Sequence, residues 1–251
     1  MDLSIISFNI RCCNDKDGHS ILERAPRLEK VIMPYDADVI GLQESTPTWM
    51  EHIEKCFGDK YGIFIKYRTT QPPFEGTPVL WKKDRFDCVD TGCFWLSDTP
   101  DVESRGWDKL PHNRICNYVI LKEKASSKSF VFMSVHFGFG DSCQTKSALL
   151  MSEYADKFGG LPTIVVGDFN MTPQSVGYKT MTENFTDANA VTTRDTSSTF
   201  HGYHPEEHPD SHIDYCFLKG DVSAISQSVI KETVDGKYPS DHYGLFIKAT
   251  I

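Results

Sequence analysis

Short runs rich in β-branched and aromatic residues recur along the whole chain, and several of them stop at, or start from, an amide, a carboxylate or an imidazole. Such runs predict strands over Leu3–Ile10, Asp38–Gln43, Tyr61–Lys66, Thr77–Lys82, Phe86–Leu96, Ile115–Leu121, Phe130–His136, Thr163–Gly167, Ile213–Leu218 and Tyr243–Ile251. Between them, helical spacing predicts Ile21–Met33, stopped by Pro34. Thr46-Pro47 opens a second helix towards Phe57, Gln144–Phe158 is a third, and Thr172-Pro173 opens a fourth over Pro173–Met181. Consecutive strands with interspersed helices call for two packed sheets covered by outer helices. With no linker, repeat or low-complexity run, residues 1–251 read as one domain.

Charge narrows the function classes. Twenty-six basic against thirty-five acidic residues leave a net charge of −9, which argues against a general electrostatic grip on nucleic acid. A local positive groove or a small phosphorylated substrate stays open, and part of the acid excess suits a metal site. The eight cysteines include no CxxC. Cys12-Cys13 is a vicinal pair, while Cys88, Cys93, Cys116 and Cys216 lie in apolar runs and are expected to be reduced and buried, as in a cytoplasmic protein. The N-terminus enters a strand at once, with no signal-peptide pattern, and no apolar stretch approaches the roughly 20 residues of a transmembrane helix.

The strand ends carry the chemistry. Asn9 follows Ser7-Phe8, on the face opposite Phe8 and Ile10, where it serves equally as a turn cap. Glu44 ends Val39-Ile40-Gly41-Leu42-Gln43, either solvated or holding a cation. In Gly167-Asp168-Phe169-Asn170, an extended chain points Asp168 and Asn170 the same way, able to hold a water and a phosphoryl oxygen. Gly167 permits close approach of backbone or ligand. Ser240-Asp241-His242 precedes the last strand, and Asp214, in His212-Ile213-Asp214, can orient a histidine. His136 ends another strand. Each alone has a bland reading as a turn or a solvated terminus. Asn, Glu, Asp-x-Asn and Asp-His at the ends of apolar strands form a set that chance does not easily arrange.

That set, carried by SFNIR, GLQE, VHFG, VVGDFN, HIDYCFL and SDH from Leu3 to the C-terminus, resembles the endonuclease/exonuclease/phosphatase family, the deoxyribonuclease I-like superfamily. The segment Glu75–Asp108 is similar to small bacterial-type members. The resemblance implies an α/β fold, a four-layer α/β/β/α sandwich of two mostly antiparallel sheets with the site at one edge. It implies Mg²⁺, or Mn²⁺ in its place, at Glu44 with Asn9 and Asp241 beside it. It further implies Asp168 and Asn170 on the nucleophilic water, His242 paired with Asp214, and His136 at the leaving group with Glu75 as its acidic partner. Arg114 is a candidate phosphate contact. The chain departs from the family pattern at Phe137-Gly138-Phe139, where many members carry a second Asp-His.

The expected activity is metal-dependent hydrolysis of a phosphate ester by a monomer. Phosphorylated small molecules, phospholipid headgroups and single-stranded nucleic acid are the candidate substrates. A non-catalytic phosphate or nucleic-acid binder on the same scaffold is the alternative, and retention of Asp168 and His242 argues against it. Carboxylates and amides suit Mg²⁺ or Mn²⁺ better than Zn²⁺. The long polar loop Thr192–Ser211 holds His201, His204 and His208, whose spacing matches no closed zinc set; it is expected to be a substrate-facing lip or a solvated loop. The strand-end aromatics Phe137, Phe139, Phe169 and Tyr243 are expected in the core.

Overall fold

The computed structural model describes residues 1–251. One six-stranded sheet contains β1 (Asp2–Asn9), β2 (Val39–Gln43), β3 (Tyr61–Phe64), β4 (Val79–Lys82), β11 (Ser223–Ile230) and β12 (Gly244–Thr250), in the order β11-β12-β1-β2-β4-β3. The other contains β5 (Phe86–Trp95), β6 (Ile115–Glu123), β7 (Ser129–His136), β8 (Thr163–Asp168), β9 (Thr186–Asp187) and β10 (Asp214–Lys219), in the order β5-β6-β7-β8-β10-β9. Each sheet holds one parallel pair, β1 with β2 and β7 with β8, and is otherwise antiparallel. Helices α1 (Ile21–Ile32) and α2 (Pro47–Phe57) pack on the first sheet. Helices α3 (Asp141–Lys157) and α4 (Val176–Asn184) pack on the second, and the short α5 (Ala188–Val191) follows β9.

Strand alternation builds the layers. In β1, Leu3 and Ile5 face the cluster between the sheets, with Val39, Phe130, Phe132, Ile164 and Val166. Ile6 and Phe8 face the opposite way, onto α1 and α2 through Leu28, Trp49 and Ile53. A third cluster joins the second sheet to α3 and α4. Three cores between four layers give the expected α/β/β/α sandwich. Helix α2 shows the local logic: Thr46 accepts a hydrogen bond from the Trp49 amide at 3.4 Å, Pro47 follows the cap, and Trp49, Met50, Ile53 and Phe57 form the buried stripe. Trp49 is fully buried, so truncation to alanine should cost ~3–5 kcal/mol. At Gly41 a Cβ would come within 2.4 Å of Val166, so the glycine lets the two sheets close. At Gly167 it would sit 2.0 Å from the Val135 carbonyl, so it is the neighbouring strand's backbone that needs this glycine.

Several local expectations change. The fourth helix starts at Val176 rather than Pro173, because Ser175 caps it by accepting from the Tyr178 amide at 3.2 Å, while Thr172 closes a turn with the Ser175 amide. The third begins earlier, at Asp141, after Gly140 with φ 96°. Strand β11 reads SAISQSVI; its three serines and Gln227 interrupt the apolar residues, which hides it from a search for apolar runs. Cys88 is exposed and Cys93 half-buried, because β5 is an edge strand; Cys116 and Cys216 are buried as expected, and all eight cysteines are free. No helix is long and apolar enough to cross a membrane.

Candidate active site

The site lies where β1, β2, β7 and β8 end and β10 and β12 begin. Register places its centre: His136 on β7 is paired with Asp168 on β8, and Asp168 with Asp214 on β10, so one rung carries all three. The first sheet brings Asn9 from the end of β1, Glu44 from just beyond β2, and Asp241 and His242 from the turn before β12. Glu44, Glu75, Arg114, His136, Asp168, Asn170, Asp241 and His242 line one cavity of about 640 Å³. Asn9 and Asp214 are buried just behind that lining.

Hydrogen bonds fix the arrangement. The Asn9 amide donates to Asp168 Oδ2 at 2.9 Å and to Glu44 Oε1 at 3.1 Å, tying the two sheets together. Its own Oδ1 accepts from the Arg11 amide at 3.0 Å. Asn9 therefore turns its nitrogen, not a ligating oxygen, towards the carboxylates, and acts as a bridge. Glu44 Oε2 accepts from the Cys12 amide at 2.8 Å. Asp241 pairs with Arg11 at 3.4 Å. Asn170 does not extend the strand: with φ 50° it folds back, and its amide donates to Asp168 Oδ1 at 2.9 Å. The two side chains meet through this tight turn, which asparagine tolerates, rather than by strand alternation. Asn170 Nδ2 then donates to the Phe137 carbonyl at 3.0 Å and to His136 Nε2 at 3.1 Å. Arg11 (φ 63°) and Glu44 (φ 62°) are also left-handed; strain of this kind collects at functional sites.

The two histidines differ. His242 Nδ1 donates to Asp214 Oδ2 at 2.9 Å. Burial opposes its charge, but Asp214 and Asp168 overcome that and push its pKa up to about 10, so His242 is a cation at neutral pH. His136 is held well below the ordinary histidine range by burial and by Arg114. It is neutral, and because its Nε2 accepts from Asn170, its proton sits on Nδ1. That Nδ1 is 3.6 Å from Glu75, too long for a firm bond, and Glu75 is instead bound by Arg68 at 2.7 Å. The expected Glu75–His136 pairing is thus loose. Arg114 lines the cavity, yet its guanidinium is anchored by buried Asp108 at 2.7 Å. Asp168 lies 3.4 Å from His136 Nε2 and 3.7 Å from His242 Nε2, and burial and Asp214 raise its pKa to about 7.

The donor set fits a hard divalent cation. Glu44, Asp168, Asp214 and Asp241 outnumber the cations facing them, which are Arg11, His242⁺ and buried Arg24 near Asp241, while Arg68 and Arg114 are occupied by Glu75 and Asp108. Asp241 is raised by burial, and Asp214 Oδ1 is buried with no partner. The potential ligand atoms of Glu44, His136 and Asp168 lie within 4.8 Å of one another. A pocket short of positive charge and rich in carboxylate oxygen suits Mg²⁺ or Mn²⁺.

Some contributors left little trace in the sequence. Arg24, fully buried on α1, donates to the carbonyls of Ile10, Arg11, Cys13, His19 and Pro239, and so holds the loop that presents Arg11 and the Cys12 amide. A charge on the apolar stripe of Ile21, Ala25, Leu28 and Ile32 was the available signal. From the loop 192–211, Phe200 reaches the cavity and packs edge-on to His242, while His201 is buried between Tyr238 and Tyr243 and His204 is exposed. The loop is part lip and part core. Phe137 and Phe169 are fully buried and Tyr243 nearly so, but Phe139 is 42% exposed and lines the cavity.

Comparison with known proteins agrees with the fold. The model of the endonuclease/exonuclease/phosphatase family matches residues 6–242. An uncharacterised protein, L388, of Acanthamoeba polyphaga mimivirus is 36% identical over 194 residues, covering 72% of each chain. Among solved structures, an endonuclease/exonuclease/phosphatase family protein from Bacteroides thetaiotaomicron superposes with a TM-score of 0.92 at 26% identity, covering 99% of this chain and 97% of its own. A mannosyl-6-phosphatase from the same bacterium superposes with a TM-score of 0.91 at 26% identity, covering 99% and 100%.

Proposed function

The chain belongs to the endonuclease/exonuclease/phosphatase family, and from that membership we propose that it is a Mg²⁺- or Mn²⁺-dependent hydrolase of a phosphate ester in a small phosphorylated compound. The observation that carries the reading is the rung His136–Asp168–Asp214, with Asp168 between a neutral and a cationic histidine. Glu44 is the principal ligand for the cation, with Asp241 and Asp168 near it. When bound, the cation neutralises phosphate oxygens that otherwise repel a nucleophile.

The chain's own residues supply the rest. Asp168, raised towards neutrality by burial and held by the Asn9 and Asn170 N–H groups, accepts a proton from the attacking water and orients it. His242, kept charged by Asp214, donates from Nε2 to the phosphoryl oxygens as negative charge develops. His136 is neutral and buried, so its part is to hold Asn170; protonation of the departing alcohol falls to another donor. Arg114 and Arg11, each anchored by a carboxylate, hold fixed positions at the cavity wall.

The cavity favours a compact substrate. Its lining includes Pro73, Phe74, Leu110, His112 and Phe139. The net charge of −9 disfavours long nucleic acid. A phosphorylated sugar fits both facts, and a solved relative is named for that activity. Free thiols agree with a cytoplasmic setting; we read the enzyme as a monomer, which light scattering checks. The decisive experiment is a Mg²⁺/Mn²⁺ panel of hexose phosphates, p-nitrophenyl phosphate, bis-p-nitrophenyl phosphate, single-stranded RNA and a phospholipid. Preference for a hexose phosphate, lost with chelator, is expected. Preference for RNA or lipid would refute the compact-substrate reading while leaving the ester chemistry standing.

A further inference from the structure

A second metal-ligand cluster lies outside the catalytic cavity, on the outer helices of the first sheet. Glu29 projects from α1, and His52 and Cys56 project from α2 one turn apart. His52 Nε2 is 3.5 Å from Cys56 Sγ and 3.6 Å from Glu29 Oε2, and the three ligand atoms all lie within 4.8 Å of one another. None of the three lines the catalytic cavity. We propose that Glu29, His52 and Cys56 form a Zn²⁺ site that clamps α1 to α2, with water in the fourth position.

The argument is geometric and chemical. Zinc binds imidazole nitrogen at ~2.0–2.1 Å and thiolate sulfur at ~2.3 Å with tetrahedral angles, which places the nitrogen and sulfur about 3.6 Å apart. A carboxylate oxygen at ~2.0–2.2 Å stands about 3.4 Å from the same nitrogen. The observed separations of 3.5 and 3.6 Å match these edges to about 0.2 Å, the tolerance for a metal site. A single ring nitrogen faces both the thiol and the carboxylate. A sulfur, nitrogen and oxygen set selects Zn²⁺ over the hard cation of the catalytic site.

Position supports the set's availability. His52 is 23% exposed and Glu29 38%, so the cluster is open to solvent on one side, where water completes the coordination. The backbone beneath is rigid, because Leu28 and Ile32 of α1 share a core with Trp49, Met50 and Ile53 of α2. The i, i+4 spacing of His52 and Cys56 holds two ligands on one helical face. Binding exchanges the Cys56 thiol proton for the metal and releases it to solvent. The zinc-bound state gains stability by mass action, since the separated helices of the unfolded chain offer no such cluster.

Cobalt substitution tests this without reference to activity. With the full chain in excess Mg²⁺, one equivalent of Co²⁺ should give tetrahedral d–d bands and a thiolate-to-cobalt charge-transfer band, both erased by added Zn²⁺. Cys56→Ser should abolish the charge-transfer band and weaken Zn²⁺ binding by more than the ~10–100-fold that loss of an outer-shell partner costs. His52→Ala should do the same, and serves if Cys56→Ser folds poorly. A Cys12→Ser/Cys13→Ser variant should keep the band, because the vicinal thiols lie elsewhere. Zn²⁺ should raise the Tm of the parent and not that of Cys56→Ser. Absence of the band in the parent, its survival in Cys56→Ser, or its loss only with Cys12 and Cys13 overturns the site.

Discussion

Strand β2 has a carboxylate at each end: Asp38 precedes Val39, and Glu44 follows Gln43. About 20 Å of strand separates two opposite electrostatic designs. Asp38 accepts from the Ser4 amide and hydroxyl at 2.8 Å, and pairs with Arg85 at 2.7 Å and Lys82 at 3.2 Å. Beside it, Glu123 takes the same arginine at 2.7 Å. Burial alone would raise Asp38, but Ser4 and Arg85 hold it below the ordinary aspartate range. At the far end, burial raises Asp168 and Asp241, and Asp214 Oδ1 has no partner. Glu44 itself accepts from the Asn9 side chain and the Cys12 amide and, against burial, stays below the ordinary glutamate range; the aspartates around it are the ones left wanting. The satisfied end stabilises the fold; the wanting end costs stability and is ready for a cation and a substrate.

The comparison breaks if the two ends respond alike to substitution. The largest expected effect is at the wanting end. Asp168→Asn keeps the size of the side chain and removes the proton acceptor, so kcat should fall by roughly 10³-fold or more. Its metal-free melting temperature should be equal to or above that of the parent, because a carboxylate whose charge is disfavoured by burial and by Asp214 has gone. Steady-state assays and thermal melts on the same preparations read both. A fully active Asp168→Asn would remove the foundation of the proposed chemistry. At the satisfied end the outcome reverses: Asp38→Ala leaves Arg85 and Lys82 without their buried partner and should cost ~3 kcal/mol in denaturant titration. Its kcat per folded molecule should match the parent.

Asp214→Asn sharpens the division further. Asp214 reaches the substrate only through His242, so it is a positioning residue, and its loss should lower kcat by about 10²-fold. The pH profile carries the distinguishing signal. Asp214 helps hold His242 charged up to about pH 10. Without it the histidine pKa falls, and the alkaline loss of activity should begin at lower pH. An unchanged alkaline limb in this variant would mean that His242 does not act as a cation.

The contrast also explains what was legible in the sequence. Asn9, Glu44, His136, Asp168, Asp214 and His242 stand at strand termini, where an apolar run makes a polar residue conspicuous. Strands interspersed with helices made two packed sheets under outer helices readable as well, while the four-layer sandwich was implied by the family resemblance. The supporting partners were not. Arg24 and Asp108 lie on a helix and in a loop, and their roles come from backbone carbonyls and an arginine that only the folded chain brings near. The Asp168–Asn170 contact was read correctly as a pair but through the wrong backbone geometry, since spacing does not reveal a left-handed residue. Strand β11 was invisible because an edge strand buries too little to need an apolar run, and serines and a glutamine interrupt this one. Asp38 opened a predicted strand without drawing notice, because ion pairing leaves no local pattern.

The smallest effect is on stability against pH, and its sign differs between the two ends. Asp168 has a folded pKa of about 7 against roughly 3.9 unfolded, so between those values the native state binds more protons. Its contribution makes the metal-free protein less stable as pH rises from about 4 to about 7. Asp38 is lower in the folded state, so its contribution is complete above about pH 4 and is lost as pH falls further through the folded value. Melting temperatures of the metal-free protein should therefore decline on the neutral side, by about 2–4 °C for each kcal/mol involved. Asp168→Asn should flatten that decline and leave the acid side alone; Asp38→Asn should soften the acid side only. Mg²⁺ should flatten the neutral decline too, because a cation favours the ionised carboxylate and displaces its proton. If Mg²⁺ instead leaves the slope between pH 4 and 7 unchanged, the carboxylates of the wanting end do not share a metal.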